Sequence, residues 1–211
     1  MSHAADLLLF AALVFGIVVL PGLDMAFVMG SSLTAGRRHG LAAVAGVVAG
    51  AACHVTMTTL GIGVLLEVMP AAFNALLLAG ALYIAWIGIS LLRADSAFGI
   101  QDQGGAASAW ITFRRGALTC LMNPKAYLFM LAVFPQFLHA EYGPLWSQSL
   151  VLWLIIALTQ FVVYGAIALA AGQARGWLVR RPSAGPVTAR VVGTVLIGAA
   201  LLAGFEGWRS L

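Results

Sequence analysis

Two short segments of this 211-residue chain set a helix breaker beside a charged side chain within an otherwise apolar run: Pro21-Gly22-Leu23-Asp24 and Asn123-Pro124-Lys125. Proline removes a backbone donor and glycine relaxes the helix, so each segment is expected to open backbone polar groups next to an ionisable one. An ionised Asp or Lys near mid-bilayer is disfavoured by roughly 2.5 to 3.5 kcal/mol, and such residues persist where they pair or line a wet cavity. Asp24 and Lys125 have opposite charge, and Lys125 is the only lysine in the chain. The chemistry open to them is recognition: Lys125 would receive a substrate carboxylate, and Asp24 a substrate ammonium or a coupling proton. The plainer alternative is that both side chains reach toward headgroups at the membrane interface.

Other polar residues interrupt the apolar runs without a breaker. His54, Thr56, Thr58 and Thr59 fall in one run, and Thr159, Gln160 and Tyr164 in another. His54 and Gln160 occupy comparable places in the two halves of the chain and are candidates for a proton relay or a substrate site, whereas a lone histidine in a helix bundle is commonly a packing residue. The threonines are expected to bond to their own backbone. The candidate site is therefore Asp24, Lys125, Asn123, Pro21, Gly22, Pro124, His54 and Gln160. There is no Gly-x-x-x-x-Gly-Lys-Ser/Thr loop for ATP, no Cys/His spacing for a metal and no Gly-x-Ser-x-Gly nucleophile. No enzyme activity, cofactor or resident metal is expected, and transport coupled to an ion gradient remains.

The elements that hold these residues follow from composition. The chain is 62% hydrophobic and only 9% charged, against roughly a quarter charged in a soluble domain, so a soluble surface is excluded. With about 20 apolar residues per span, six spans fit, over 7–29, 41–66, 71–92, 116–138, 145–172 and 191–208. The net charge of +4 forms no stripe suited to nucleic acid. Arg37 and Arg38, then Arg93, Arg114 and Arg115, then Arg175, Arg180, Arg181 and Arg190 fall between alternate spans. The other two connections carry Glu67 and Glu141 but no Lys or Arg. The positive-inside rule then makes the odd-numbered loops cytoplasmic and puts both termini on the outer face.

The whole chain reads as one all-α transmembrane domain, 1–211. Repeat one covers about 1–93, a cytoplasmic loop about 94–115, and repeat two about 116–211. Repeats with three spans each must lie inverted, and the first helix of each, helix 1 and helix 4, carries the break, which is the usual sequence pointer to a transport site. Gly36/Gly40 and Gly46/Gly50 suit close helix packing within the chain or a homodimer interface. Cys53 and Cys120 lie within apolar runs and are expected to be free. The N-terminal run has Asp6 and no Lys or Arg before it, which suits a permanent span better than a signal peptide.

At these same residues the chain resembles the lysine exporter (LysE/RhtB) family of bacterial amino-acid exporters. The resemblance rests on Pro21-Gly22, on Gly36-Arg37-Arg38-His39-Gly40 leading to Gly46 and Gly50, and on Tyr83-Ile84-Ala85-Trp86-Ile87-Gly88 with Leu92-Arg93. It continues through Gly116, Asn123-Pro124-Lys125-Ala126, Leu128-Phe129 and Phe134-Pro135-Gln136-Phe137. The family commonly reads Pro-Gly-Pro at the first break; Leu23 stands here at the third position, which predicts a milder break. The resemblance implies a multi-pass bacterial inner-membrane protein that exports amino acids or closely related metabolites, in exchange for protons. A small zwitterion such as an amino acid, a proton and the bilayer are then its partners. Two other readings stay open: a divalent-cation exporter using Asp24, His54, Cys53 and Cys120, and a non-transporting membrane scaffold.

Overall fold

Proline 21 decides the first element. Its ring and missing N–H cannot be accommodated inside a regular helix, and the first apolar run splits into α1 (His3–Val19) and α2 (Leu23–Ala35). The two axes bend by 56° across the break, a large angle even with Leu23 in the third position, where it is buried. The computed structural model describes residues 3–61, 82, 85–86, 89, 92–93, 108–179, 186–187, 190–195, 197–198 and 201. Most of the predicted third span, part of the sixth, and the polar stretch 94–107 lie outside the described residues.

A single residue joins α2 to α3 (Arg37–Thr59). Gly36 has φ +87°, a left-handed conformation that glycine adopts without penalty, and its N–H donates to Ser32 O at 2.9 Å. Arg37 and Arg38 therefore open a helix. Along α3 the buried positions Gly40, Ala43, Val44, Val47, Gly50, Ala51, His54 and Val55 recur with helical spacing and form one inward stripe.

The second half repeats the device. α4 (Ala109–Leu121) starts where Ser108 Oγ accepts from the Trp110 N–H at 3.2 Å, so Arg114 and Arg115 lie on the helix. It stops at Met122, and α5 (Pro124–Ala132) begins behind Asn123, whose Oδ1 accepts from the Lys125 N–H at 3.1 Å, with Pro124 at the first helical position. Two 3-10 turns, Phe134–Phe137 and Ala140–Tyr142, lead to the 35-residue α6 (Leu145–Val179). The described residues are helical, without strands. Among them, Arg37–Thr59 and Leu145–Gly176 are long and apolar enough to cross a membrane, and the bent α1–α2 pair makes a third if it is one span.

α3 is central, packed on α4, α6 and α2. Its crossing with α4 is close because glycines stand at the contact points on both faces. A Cβ on Gly116 would stand 2.6 Å from Ala43 O, one on Gly50 would stand 2.7 Å from Cys120 Cβ, and one on Gly46 would strike the Phe113 carbonyl. The small-residue pair Gly46/Gly50 is thus used inside the chain. Phe10 of α1 meets Phe137 with ring centroids 5.0 Å apart and packs on Phe129 and Phe134. At that end Tyr142 Oη donates to Asp6 Oδ2 at 3.1 Å, and Gln148 Nε2 donates to the His139 and Gly143 carbonyls at 2.8 Å each. Elsewhere Arg175 Nε of α6 donates to Thr34 O at 3.1 Å, and Ser32 Oγ to Ala168 O.

The distribution of polarity is that of a membrane protein. Trp146, Leu158 and Phe161 are 69%, 66% and 61% exposed, whereas Asp24, His54, Asn123 and Gln160 are buried. A soluble protein does not present so much large apolar surface around a polar interior.

Candidate functional site

The site grows out of a backbone accounting problem. In an α-helix the N–H of each residue bonds to the carbonyl four residues earlier, and a proline leaves that carbonyl without its donor. Pro21 therefore orphans Ile17 O, and Pro124 orphans Cys120 O. With no water in a bilayer core, such groups must find partners inside the protein.

Both orphans are satisfied by a side chain from the other half of the chain. Lys125 Nζ donates to Ile17 O at 2.9 Å and to Leu20 O at 2.8 Å, closing the broken end of α1. His54 Nε2 lies 3.0 Å from Cys120 O at the broken end of α4. A carbonyl only accepts, so Nε2 carries the proton in this contact. The His54 ring stands edge-on to Tyr127, with centroids 4.5 Å apart and planes at 89°. The Asn123 N–H adds a second, 3-10 type bond to Cys120 O at 3.0 Å. Gly22 gives Lys125 its passage: a Cβ there would lie 3.2 Å from Nζ.

Between the two breaks is a cavity of about 50 Å³ with Asp24, His54, Asn123, Lys125, Gln160 and Tyr164 in its wall, backed by Phe129, Met130 and Ile156. Asp24, Asn123 and Gln160 are 3%, 2% and 6% exposed. Their Asp24 Oδ1, Asn123 Nδ2 and Gln160 Oε1 atoms are buried without a hydrogen-bond partner. Lys125 acts on Asp24 through space while its ammonium is bound to the α1 carbonyls. The Asn123 amide neighbours the Asp24 carboxylate and acts on it without a well-formed bond between these atoms; since buried polar atoms are almost always paired, the three are candidates for contact with a bound molecule. The cavity is partly open and small, against roughly 300–1,000 Å³ for typical ligand pockets.

Five of the residues singled out in the sequence, Asp24, Lys125, Asn123, His54 and Gln160, thus meet in one wall, and Pro21, Gly22 and Pro124 shape the breaks on either side. Thr56, Thr59 and Thr159 donate to the carbonyls of Ala52, Val55 and Ile155, four residues back, at 2.8, 2.7 and 2.8 Å. Sequence reasoning missed the Ile17, Leu20 and Cys120 carbonyls. Counting back four residues from each proline would have found two of them. Cys53 is exposed and Cys120 buried, both free. Among the described residues no three His, Cys, Asp or Glu side chains gather as they would around a metal ion, so the cation-exporter reading gains nothing from the geometry.

Comparison with known proteins adds independent information. The profile of the family described as LysE type translocator matches residues 14–207. An uncharacterised membrane protein of Vibrio cholerae is 31% identical over 195 residues, covering 92% of this chain and 93% of that protein. The homoserine/homoserine lactone efflux protein of Salmonella typhimurium is 31% identical over 158 residues, 75% of this chain and 76% of its own length. The leucine efflux protein of an Enterobacter species is 27% identical, with 87% of this chain and 88% of that protein covered. No solved structure matches the chain at a significant level.

Proposed function

The chain belongs to the LysE type translocator family, a family of efflux transporters and not of enzymes, and from that premise we propose that it exports an amino acid or a closely related metabolite across the bacterial inner membrane through the cavity between its two proline breaks. The observation that carries this reading is the trio of buried, unpartnered polar atoms on Asp24, Asn123 and Gln160 around that cavity. Relatives named for homoserine, homoserine lactone and leucine efflux support amino acids as the substrate class. Asp24, the only buried acidic residue in the cavity wall, is the group for a coupling proton.

The architecture that goes with this function is six spans in two inverted three-helix repeats, both termini outside. Its support is the reciprocity of the breaks: Lys125 of the second half closes α1, and His54 of the first half closes α4. In such a fold the breaks let helix ends shift around a central site without unfolding the spans. The cavity, about 50 Å³, must then widen to admit a whole substrate.

Cells preloaded with labelled leucine, homoserine and other amino acids, expressing wild type or Asp24→Asn, test this with and without a protonophore. Wild-type efflux of at least one amino acid, lost on either perturbation, is the expected result. No efflux of any amino acid by a protein folded in the membrane would overturn it, and efflux indifferent to the protonophore would remove the proton coupling.

A further inference from the structure

The cavity wall is asymmetric in what it offers a ligand. Two of its atoms without a well-formed hydrogen bond, Asp24 Oδ1 and Gln160 Oε1, are acceptors; one, Asn123 Nδ2, is a donor and neighbours the Asp24 carboxylate. The cation beside them, Lys125, has two of its three N–H groups engaged by Ile17 O and Leu20 O. An amino-acid carboxylate therefore does not find a free ammonium waiting for it. What the two acceptors lack is a direct donor, and a primary ammonium with its several N–H groups supplies one to each. The cavity, about 50 Å³, also has room for a group the size of an ammonium rather than for a whole amino acid.

We infer that the site reads the ammonium end of its substrate, through Asp24 and Gln160, and that at the other end it asks only for a carbonyl oxygen to accept from Asn123. This rests on the export reading above and assigns Gln160 a role in specificity. Acid, amide and ester forms of one amino acid then all qualify, because each presents a carbonyl oxygen and a free ammonium. An N-acylated amino acid does not: its nitrogen has lost both its charge and all but one of its N–H groups, so Asp24 would be left buried and unpaired. Sites built to hydrogen-bond a polar group reject analogues lacking it far more strongly than apolar pockets reject a change of size.

Purified full-length protein in proteoliposomes, assayed by counterflow of labelled L-leucine and of labelled L-homoserine, provides the test. The competitors are L-leucinamide and N-acetyl-L-leucine, with protein-free liposomes as the blank. Leucinamide is expected to compete within about threefold of leucine, and N-acetyl-leucine to be weaker by tenfold or more, about the value of one charge-assisted hydrogen bond. Gln160→Met is expected to raise the half-saturation for leucine and leucinamide by a similar factor, as loss of a contact to their shared ammonium requires. N-acetyl-leucine competing as well as leucine, or leucinamide failing to compete, overturns the inference while leaving export standing. If neither is carried, the same competition is run on the amide and N-acetyl forms of whichever amino acid the preloaded cells export, and export of none overturns the export reading and this one with it.

Discussion

Lys125 shows how much of a residue's role sits in atoms that the sequence does not spell out. Its charge, its place behind Asn123-Pro124 and its isolation as the sole lysine made it conspicuous, and they suggested a substrate carboxylate as partner. Its observed partners are main-chain carbonyls more than 100 positions away, invisible to any reading of side-chain types. Asp24, Asn123, His54 and Gln160 were legible for the same reason as Lys125: each is a polar residue that an apolar span does not need. Lys125→Met should leave Ile17 O and Leu20 O unsatisfied and cost about 2 kcal/mol or more, whereas Lys125→Arg keeps the donors and most of the stability. Thermal unfolding in detergent checks this; a Met variant as stable as wild type would show that the carbonyls do not depend on the ammonium.

At the scale of elements, both breaks were legible because proline acts locally, and the α2–α3 and α4 boundaries were not. Hydropathy marks where a chain is apolar, while the hydrogen-bonded helix runs on into polar sequence: α2 continues to Ala35, beyond the apolar run that ends at 29, and α4 begins at Ala109, ahead of the one that opens at 116. The pairing of α3 with α4 was only half visible, since glycines four apart announce a close neighbour without naming it. Gly46→Val tests that neighbour. A side chain there meets the Phe113 carbonyl and Ala117 N, both backbone and unable to move aside. Overpacking of this kind costs about 1–3 kcal/mol or more, and the variant is expected to give little monodisperse protein; a normal yield and melting temperature would mean that the two helices can part at small cost.

For the molecule as a whole, the alternation of basic and basic-free connections gives an orientation that the packing leaves to experiment. In a background lacking Cys53 and Cys120, Ser108→Cys is expected to react with a membrane-impermeant maleimide only from the cytoplasmic side, and Glu141→Cys only from outside. Both positions are exposed, so accessibility is not in question, and the reverse pattern would invert the proposed topology. The proposed inverted pairing of halves rests in the sequence on a count of spans and a repeated proline. What the sequence could not convey is that the halves are fastened to each other at the breaks themselves, by His54 on one side and Lys125 on the other.

The fastening by Lys125 has an electrical consequence. If the proposed export cycle moves the lip of α1 along the membrane normal, the ammonium bound to it carries positive charge in the same direction. A full charge crossing the bilayer responds by about 2.3 kcal/mol per 100 mV, so a shift through one tenth of the field is worth about 0.2 kcal/mol at that voltage. Efflux should accordingly respond to a potassium diffusion potential imposed at equal pH on both sides, and the Lys125→Met variant, whatever its residual rate, should respond less. The same contact that repairs a broken helix would then let the exporter sense the energised state of its membrane.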